Sequence, residues 1–196
     1  MIFYATKQTI DRYKIKMSNE TSPLFKETSN MIIERETNDP LLEWGLKLFY
    51  FDRRKCIQAM NFASKLTIFI FDVKVDDIYE IGNTIAIYLL DLYRDDKNMI
   101  TLLNKLFSDS PICVFSKLTN RSIISSLNRN QSDYALDGYR FFEYIENGIL
   151  KTKEINHDVN FNWFVTLRVS NKPEYILPGE QFKTLLQNRY LKNIKN

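Results

Sequence analysis

The alternation of hydrophobic and polar positions predicts an antiparallel meander in the middle of the chain. Two apolar runs at 46–51 and 56–62 flank a polar corner at 52–54, a pattern typical of a β-hairpin. A third run at 65–71 is almost continuously apolar, which indicates a strand buried on both faces in the centre of a sheet.

The rest of the pattern adds short strands and several helices to this meander. Strands are predicted at 2–6 and 112–116, and helices at 7–13, 75–93, 98–107, 120–128, 133–145 and from 178 onward. Residues 18–40 are polar and contain two prolines, so we expect a loop there. The chain is therefore predicted to be an α+β protein, with an antiparallel sheet of about four or five strands packed on about three or four helices.

The distribution of charge suggests a division of the chain into two parts. Residues 148–196 hold eight Lys/Arg against four Asp/Glu, whereas residues 1–147 hold nineteen against twenty. We expect an α+β core domain at 1–147 and a basic strand–helix addition at 148–196 that packs on it. The formal net charge of +3 is small for a dedicated duplex-DNA binder, which concentrates more positive charge on one face.

Cysteine usage and hydropathy predict a soluble, cytoplasmic protein. Cys56 and Cys113 lie inside apolar runs without metal-binding or redox spacing, so both are expected to be reduced core residues. Residues 1–7 lack the pattern of a signal peptide, and no window approaches the roughly 18 apolar residues that span a bilayer.

The hairpin corner is the first candidate binding site. Arg53 and Arg54 would hold two guanidinium groups at the edge of the sheet, with the Lys55 ammonium beside them. A guanidinium presents five donors in a rigid fork that suits phosphate or carboxylate. The alternative is a solvated corner in which one arginine pairs with Asp52 or with a helix carboxylate.

Asn120, Arg121 and Ser122 form the second candidate, at the start of a predicted helix. Free N–H groups at a helix N-terminus can hold an anion, and Arg121 would add a guanidinium. If this turn met the hairpin corner, the arginines would build one pocket. The alternative is that Asn120 or Ser122 only caps the helix, a contribution of about 1 kcal/mol.

A secondary binding surface is expected in the C-terminal addition, where aromatic and basic residues are mixed. Trp163 lies in an aromatic stretch, and Lys183, Arg189 and Lys192 belong to the last predicted helix. Exposed aromatic rings beside cations stack on bases and contact backbone phosphate. The alternative is that Trp163 is a core residue and the cations are solvated.

No familiar catalytic set is apparent in the sequence. His157 is the only histidine and is expected in a surface loop, which disfavours Ser-His-Asp, Cys-His and zinc enzymes. The acidic pairs at 76–77 and 95–96 stand at predicted helix starts, where carboxylates are favourable without a metal. We expect neither a cofactor nor a metal site, and a non-catalytic protein is favoured.

Four segments, taken in order, resemble a family of small bacterial and phage proteins, one of the domains of unknown function. They are Thr6-Lys7, Trp44 with Arg-Arg-Lys-Cys at 53–56, Asn-Arg-Ser at 120–122 followed by Ser-Leu-Asn at 126–128, and a closing helix. Leu127 stands where the family pattern has Met, and about fifty residues follow the last matching helix. The resemblance covers residues 1–147 and implies no established activity.

Three hypotheses of function follow from these observations. The first is a non-catalytic protein that covers a surface of a protein or nucleoprotein partner, as a phage or mobile-element regulator or an inhibitor of host defence would. The second is an RNA- or DNA-binding module that uses Arg53, Arg54, Arg121 and the basic C-terminus. The third is a nuclease or toxin-type enzyme of an unfamiliar class. No membrane partner is expected.

Overall fold

The computed structural model describes residues 1–17, 22–136, 139–169 and 172–191, which form a mixed sheet with helices on both faces. The strands are β1 (Ile2–Ala5), β2 (Glu43–Phe51), β3 (Arg54–Asn61), β4 (Thr67–Ile70), β5 (Val114–Lys117), β6 (Ile145–Glu146), β7 (Ile149–Leu150), β8 (Val165–Val169) and β9 (Lys172–Ile176). The helices are α1 (Lys7–Tyr13), α2 (Pro23–Glu36), α3 (Ile81–Leu92), α4 (Lys97–Asp109), α5 (Arg121–Gln131), α6 (Tyr139–Glu143), α7 (Thr152–Phe161) and α8 (Pro178–Leu191). A 3₁₀ turn (Asp76–Glu80) precedes α3, and a π-helical turn (Ser132–Leu136) follows α5.

The main sheet has the strand order β4-β3-β2-β1-β5. Its β2-β3-β4 part is the antiparallel meander that the apolar runs predict, with Phe51 opposite Arg54 beside the turn. β1 pairs in parallel with both β2 and β5. The α+β class is confirmed, but the sheet is mixed and not purely antiparallel. Helical connections return the chain to the same end of the sheet before β2 and before β5, which parallel pairing requires.

The two faces of the sheet carry different cores because successive strand residues point to opposite sides. Trp44, Leu46 and Leu48 of β2 belong to the larger core, which also includes side chains of α1, α3, α4 and α8. Phe49 and Phe51 point the other way, into an aromatic cluster with side chains of α6 and α7. The described residues form eight α-helices, more than the three or four expected, because both faces are covered.

The segment 148–196 contributes to both cores. Phe182 and Leu186 of α8 are fully buried in the larger core, and Ile155 of α7 is fully buried in the aromatic one. The expected boundary after residue 147 falls inside the tight turn Asn147-Gly148 between β6 and β7, where both residues have positive φ. The division into two domains stays a prediction.

α7 closes the outer edge of β4 with two asparagine side chains. Asn156 exchanges two hydrogen bonds with the backbone of Phe69, and Asn160 does the same with Thr67. Residues 67 and 69 are alternate positions on the strand, and positions four apart lie on one face of a helix, so the two pairings fit together. The expectation that run 65–71 is a central strand is wrong: β4 lies at the edge and is apolar because α7 buries it.

The loop expected at 18–40 is wrong for residues 23–36, which form α2. Ser22 caps this helix by accepting the Phe25 N–H, and Pro23 occupies its first turn, where a missing N–H costs nothing. The helix buries only a narrow side that includes Ile32, so its composition is mostly polar. Residues 18–21 lie outside the described residues. No described helix is long and apolar enough to cross a bilayer.

Candidate functional site

A cavity of about 250 Å³ lies between α5 and the β8–β9 hairpin, and we call it the α5 cavity. The inner part of the cavity is lined by the buried residues Met60, Lys65 and Tyr134. The α5 side includes Ser125 and Arg129, and the side formed by the β8–β9 hairpin includes Phe164 and Tyr175. It lies at the end of the sheet where the chain turns from β3 into β4.

Lys65 is the unusual residue of this cavity. It is 7% exposed, and its ammonium has no hydrogen-bond or ion-pair partner among the described residues. Burial lowers its pKa to about 8, so most molecules still carry the positive charge at pH 7. Buried charges are normally paired, so this one is available to an anion.

The turn between β3 and β4 fixes the position of Lys65. The Asn61 Oδ1 accepts from the Ser64 N–H and hydroxyl (3.1 and 2.9 Å), while its Nδ2 donates to the carbonyls of Pro40 and Leu41 (both 3.1 Å). Lys65 itself has φ 61°, a left-handed conformation that costs on the order of 1–3 kcal/mol away from glycine. The lysine is therefore held by its turn and not by pairing of its charge.

Tyr134 also lines this cavity, but its hydroxyl is buried and does not reach the open space. It is 3% exposed, and its hydroxyl has no hydrogen-bond partner among the described residues. Burial, reinforced by the Asp158 carboxylate, raises the pKa of Tyr134 far above its usual value, so the hydroxyl keeps its proton. Almost all buried polar groups in proteins are paired, so the unpaired Lys65 ammonium in this cavity indicates an anionic ligand.

The α5 side of the cavity is polar and lacks carboxylates along the helix itself. α5 contains arginine, serine and asparagine but no Asp or Glu. Ser126 donates its hydroxyl to the Ser122 carbonyl at 3.0 Å, and its oxygen can still accept. Asp133, two residues past the end of the helix, is the one carboxylate among the described residues that line the cavity. With Lys65 and Arg129 opposed to Asp133, the formal charge of the lining is positive.

The opposite side of the cavity is aromatic. Phe164 and Tyr175 are 65% and 78% exposed, although large apolar rings are usually covered. Trp163 is half-buried beside them. The Arg140 guanidinium lies 3.7 Å from its ring centroid, and its indole N–H donates to Asp158 at 3.0 Å. Trp163 is thus fixed by its neighbours, while Phe164 and Tyr175 are free to contact a partner.

The predicted site at the start of α5 is close to this cavity. Asn120 accepts the N–H groups of Ser122 and Ile123 (3.1 and 3.2 Å), so the capping alternative is confirmed for this residue. Arg121 and Ser122 are exposed. A shallow cleft here is lined by Asn120, Ser122 and Lys65, which makes Lys65 the link between the helix start and the α5 cavity.

The hairpin corner is remote from that cavity. Asp52 and Arg53 both have positive φ (46° and 61°), as a type I′ turn requires, and the guanidinium groups of Arg53 and Arg54 are on the surface. Arg54 lies 3.9 Å from the exposed Asp72 carboxylate, a weak pairing. Lys55 is half-buried, and its carbonyl accepts the N–H of residue 73.

The corner and the start of α5 do not form the joint pocket that would have united their arginines. Ile123 packs against Gly45, at the far end of the hairpin from Asp52. The seven residue steps from Gly45 to Asp52 span roughly 23 Å along the strand. Arg53 and Arg54 are therefore separated from Arg121 by the length of the strand.

The predicted C-terminal cations are also outside the cavity. Lys183 pairs with Asp96 at 2.8 Å, and Arg189 pairs with Asp39. Both belong to α8, which packs on the sheet face opposite α5. Lys192 lies outside the described residues.

The single histidine lies on a helix. His157 belongs to α7 and not to the expected loop, and its ring centroid is 4.9 Å from that of Phe161. Within the described part of the chain, no group of three or more His, Cys, Asp or Glu is arranged to hold a metal ion. Cys56 and Cys113 are unpaired thiols, and burial raises the pKa of Cys56 to about 11.

Sequence reasoning missed Lys65 and Tyr134. A lysine at the head of an apolar run gives no sign of burial, because the elements that cover it come from residues 121–131 and 165–176. Phe164 belongs to the aromatic stretch around Trp163, whereas no pattern in the sequence distinguishes Tyr175.

The fold and this cavity define the class: an α+β protein with a mixed sheet and a small, positively charged cavity. The chain belongs to a family described only as a domain of unknown function, DUF6933, whose model matches residues 2–181. Searches of curated proteins and of solved structures found no match. The match confirms the resemblance to an uncharacterised family and extends beyond residue 147, through all the elements that form the α5 cavity.

Proposed function

We propose that this protein is a non-catalytic binding protein whose α5 cavity and its rim bind single-stranded nucleic acid. The observation that carries the proposal is the pairing, across one opening, of two kinds of surface. One side has cations and hydroxyls and no carboxylate on its helix; the other has the exposed rings of Phe164 and Tyr175.

This pairing suits a single strand because such a strand offers both phosphates and unstacked bases. Lys65 and Arg129 can neutralise phosphates, and the Ser125 hydroxyl can donate to a phosphate or sugar oxygen. The two rings can stack on bases, which contributes about 1–3 kcal/mol for each base. Since every base has a flat face, this mode of binding tolerates many sequences.

A duplex fits the surface less well. The net charge of +3 is low for a protein that tracks two backbones, and the unpaired cation is recessed in the cavity. We therefore expect single strands to bind more tightly than duplexes of the same length.

Fluorescence anisotropy with labelled oligonucleotides of about ten nucleotides tests the proposal. Single-stranded RNA or DNA should bind, and the logarithm of the binding constant should fall with that of the salt concentration with a slope of about −1 to −2, as expected for one to three phosphate contacts. Phe164→Ala and Tyr175→Ala should each weaken binding on the order of tenfold, because each removes one stacking surface. Both residues are exposed, so their substitution should leave the fold intact.

The matched control is the double variant Arg53→Ala, Arg54→Ala. It removes two exposed cations from the turn of the β2–β3 hairpin, which is remote from the α5 cavity. Apart from a general charge effect, it should change the affinity for the oligonucleotide by less than about twofold. Loss of binding in this control, with full binding in the Phe164 and Tyr175 variants, would move the binding surface to the hairpin corner and overturn the proposal.

The same experiments distinguish the other two hypotheses. If the protein forms a stable complex with a protein partner and has no affinity for free oligonucleotide, the hypothesis that it covers a surface of a regulatory or host-defence partner would replace the proposal. Cleavage of the labelled strand would favour the nuclease hypothesis. The phage source and the cytoplasmic location stay predictions.

A further inference from the structure

The cations of the α5 cavity limit the chemistry of its ligand. The unpaired Lys65 ammonium and the Arg129 guanidinium near the opening can only donate hydrogen bonds. The Ser125 hydroxyl of α5 adds a neutral donor at the same side. A group that accepts several hydrogen bonds and carries negative charge would satisfy all of them.

The size of the cavity excludes a long ligand from its interior. Its volume of about 250 Å³ is below the range of about 300–1,000 Å³ in which drug-sized molecules bind. A phosphate with the adjoining part of one nucleotide fits this space, whereas a stacked run of nucleotides must lie outside, on the exposed rings.

The burial of Lys65 favours a terminal phosphate of a nucleic acid over an internal one. A phosphate inside a nucleic-acid strand carries a sugar on each side, and both sugars would have to enter the cavity for it to reach Lys65, a residue that is only 7% exposed. A terminal phosphate carries one sugar and projects from the chain. It also bears about −1.5 to −2 charges near neutral pH, against −1 for an internal phosphate.

The charges around the cavity agree with this choice. Arg129 adds a second positive charge near the opening, and Asp133 subtracts one. The lining therefore attracts one doubly charged group more strongly than it attracts a neutral or singly charged one.

We propose that the α5 cavity recognises the terminal phosphate of a single-stranded nucleic acid and that Lys65 holds this phosphate. This inference rests on the proposed function and narrows its ligand from any single strand to a phosphorylated end. The exposed rings of Phe164 and Tyr175 would then stack on the nucleotides next to that end.

Binding of three otherwise identical strands tests the inference: one with a 5′-phosphate, one with a 3′-phosphate and one with hydroxyls at both ends. We expect one of the phosphorylated strands to bind on the order of tenfold more tightly than the unphosphorylated strand, because charge-assisted hydrogen bonds are added. Lys65→Met should abolish this preference, so that the three strands bind this variant with about the same affinity.

The matched control is Lys47→Met. Lys47 also lies beneath α5, but its ammonium donates to Asn128 at 2.6 Å and does not line the cavity. This variant should retain the full preference for the phosphorylated strand. Inorganic phosphate should compete with the phosphorylated strand in the wild-type protein and fail to compete in Lys65→Met.

The possible failures are distinguishable. If all three strands bind equally well, the end-recognition inference is wrong and the proposed function stands. If no strand binds, both are wrong. A phosphoserine peptide that binds as tightly as the phosphorylated strand would overturn the assignment of the cavity to nucleic acid.

Discussion

Asn156 gives Phe69 the two backbone hydrogen bonds that a neighbouring strand would give it. Its Oδ1 accepts the Phe69 N–H at 2.7 Å, and its Nδ2 donates to the Phe69 carbonyl at 3.0 Å. Asn160, one turn later, forms the same pair with Thr67 at 2.9 and 2.7 Å. An open strand edge favours aggregation, and these two side chains close the edge with a helix.

Asn156→Ala should strongly destabilise the protein. Its loss leaves the N–H and the carbonyl of Phe69 buried without partners, and each such group costs about 1–3 kcal/mol. We expect the free energy of unfolding, measured by urea denaturation, to fall by about 2–4 kcal/mol.

The control for this change is Asn162→Ala. Asn162 also follows the α7 helix but is exposed and bonds only to Asp158. Its substitution should lower stability by less than about 0.5 kcal/mol. Equal effects of the two changes would show that closing the strand edge contributes little.

Lys65→Met should stabilise the protein at pH 7. The folded state lowers the pKa of Lys65 from 10.5 to about 8, so it disfavours the charged form that the unfolded state keeps. Removal of the charge should raise the free energy of unfolding by about 1–3 kcal/mol, given about 1.4 kcal/mol for each pKa unit. Denaturation of both proteins over a series of pH values measures the difference.

The sign of the pH dependence is fixed by that same shift. Below pH 8 both states hold the proton and the full penalty acts; above it the folded state releases the proton, and the penalty fades as pH approaches 10.5. The advantage of Lys65→Met should therefore be largest below pH 8 and shrink above it. Arg129, Asp133, Tyr134 and Tyr175 in the cavity and Glu43 in the adjoining cleft are common to both proteins, so the comparison cancels their own contributions. A variant less stable than wild type at pH 7 would contradict the buried, unpaired ammonium.

Gly45→Ala should disturb the seating of α5 on the sheet. A Cβ at this position would lie 2.8 Å from the Ile123 Cγ2 atom, closer than van der Waals contact allows. Overpacking of this kind costs about 1–3 kcal/mol. Combining the change with Ile123→Ala, which removes the contacting atom, should give less destabilisation than the sum of the two single changes. Simple additivity in the double-mutant cycle would exclude the contact.

Arg53→Gly should stabilise the hairpin without affecting ligand binding. Arg53 has φ 61° in a two-residue turn, a conformation that glycine adopts without strain. We expect a gain of about 0.5–1 kcal/mol in the free energy of unfolding. Arg53→Ala, which removes the same charge but keeps the strain, should give no gain.

The parts of the fold that the sequence predicts well are those set by local pattern. Alternation at 46–51 and 56–62 defines β2 and β3, and Asn120 precedes α5 as a cap should. Both signals arise within a few residues, so they are readable without knowledge of the tertiary structure.

The parts that the sequence hides depend on distant segments. β4 looks like a central strand because α7 buries its edge, and α2 looks like a loop because only a narrow side of it is covered. Lys65 carries no local sign of burial, since α5 and the β8–β9 hairpin enclose it. Arg53 is likewise far from Arg121 because α5 begins near the start of β2 and Arg53 follows its end, an arrangement that residue composition does not encode.

The closing of the β4 edge by α7 has a consequence for biosynthesis. Phe69 and Asn156 are separated by 87 residues, so a ribosome completes the strand roughly 4–17 s before it supplies the asparagine. During that interval the nascent chain carries an uncovered template for pairing with a second copy. A fragment that stops before α7 keeps this state permanently, and we expect it to self-associate where the full-length chain does not.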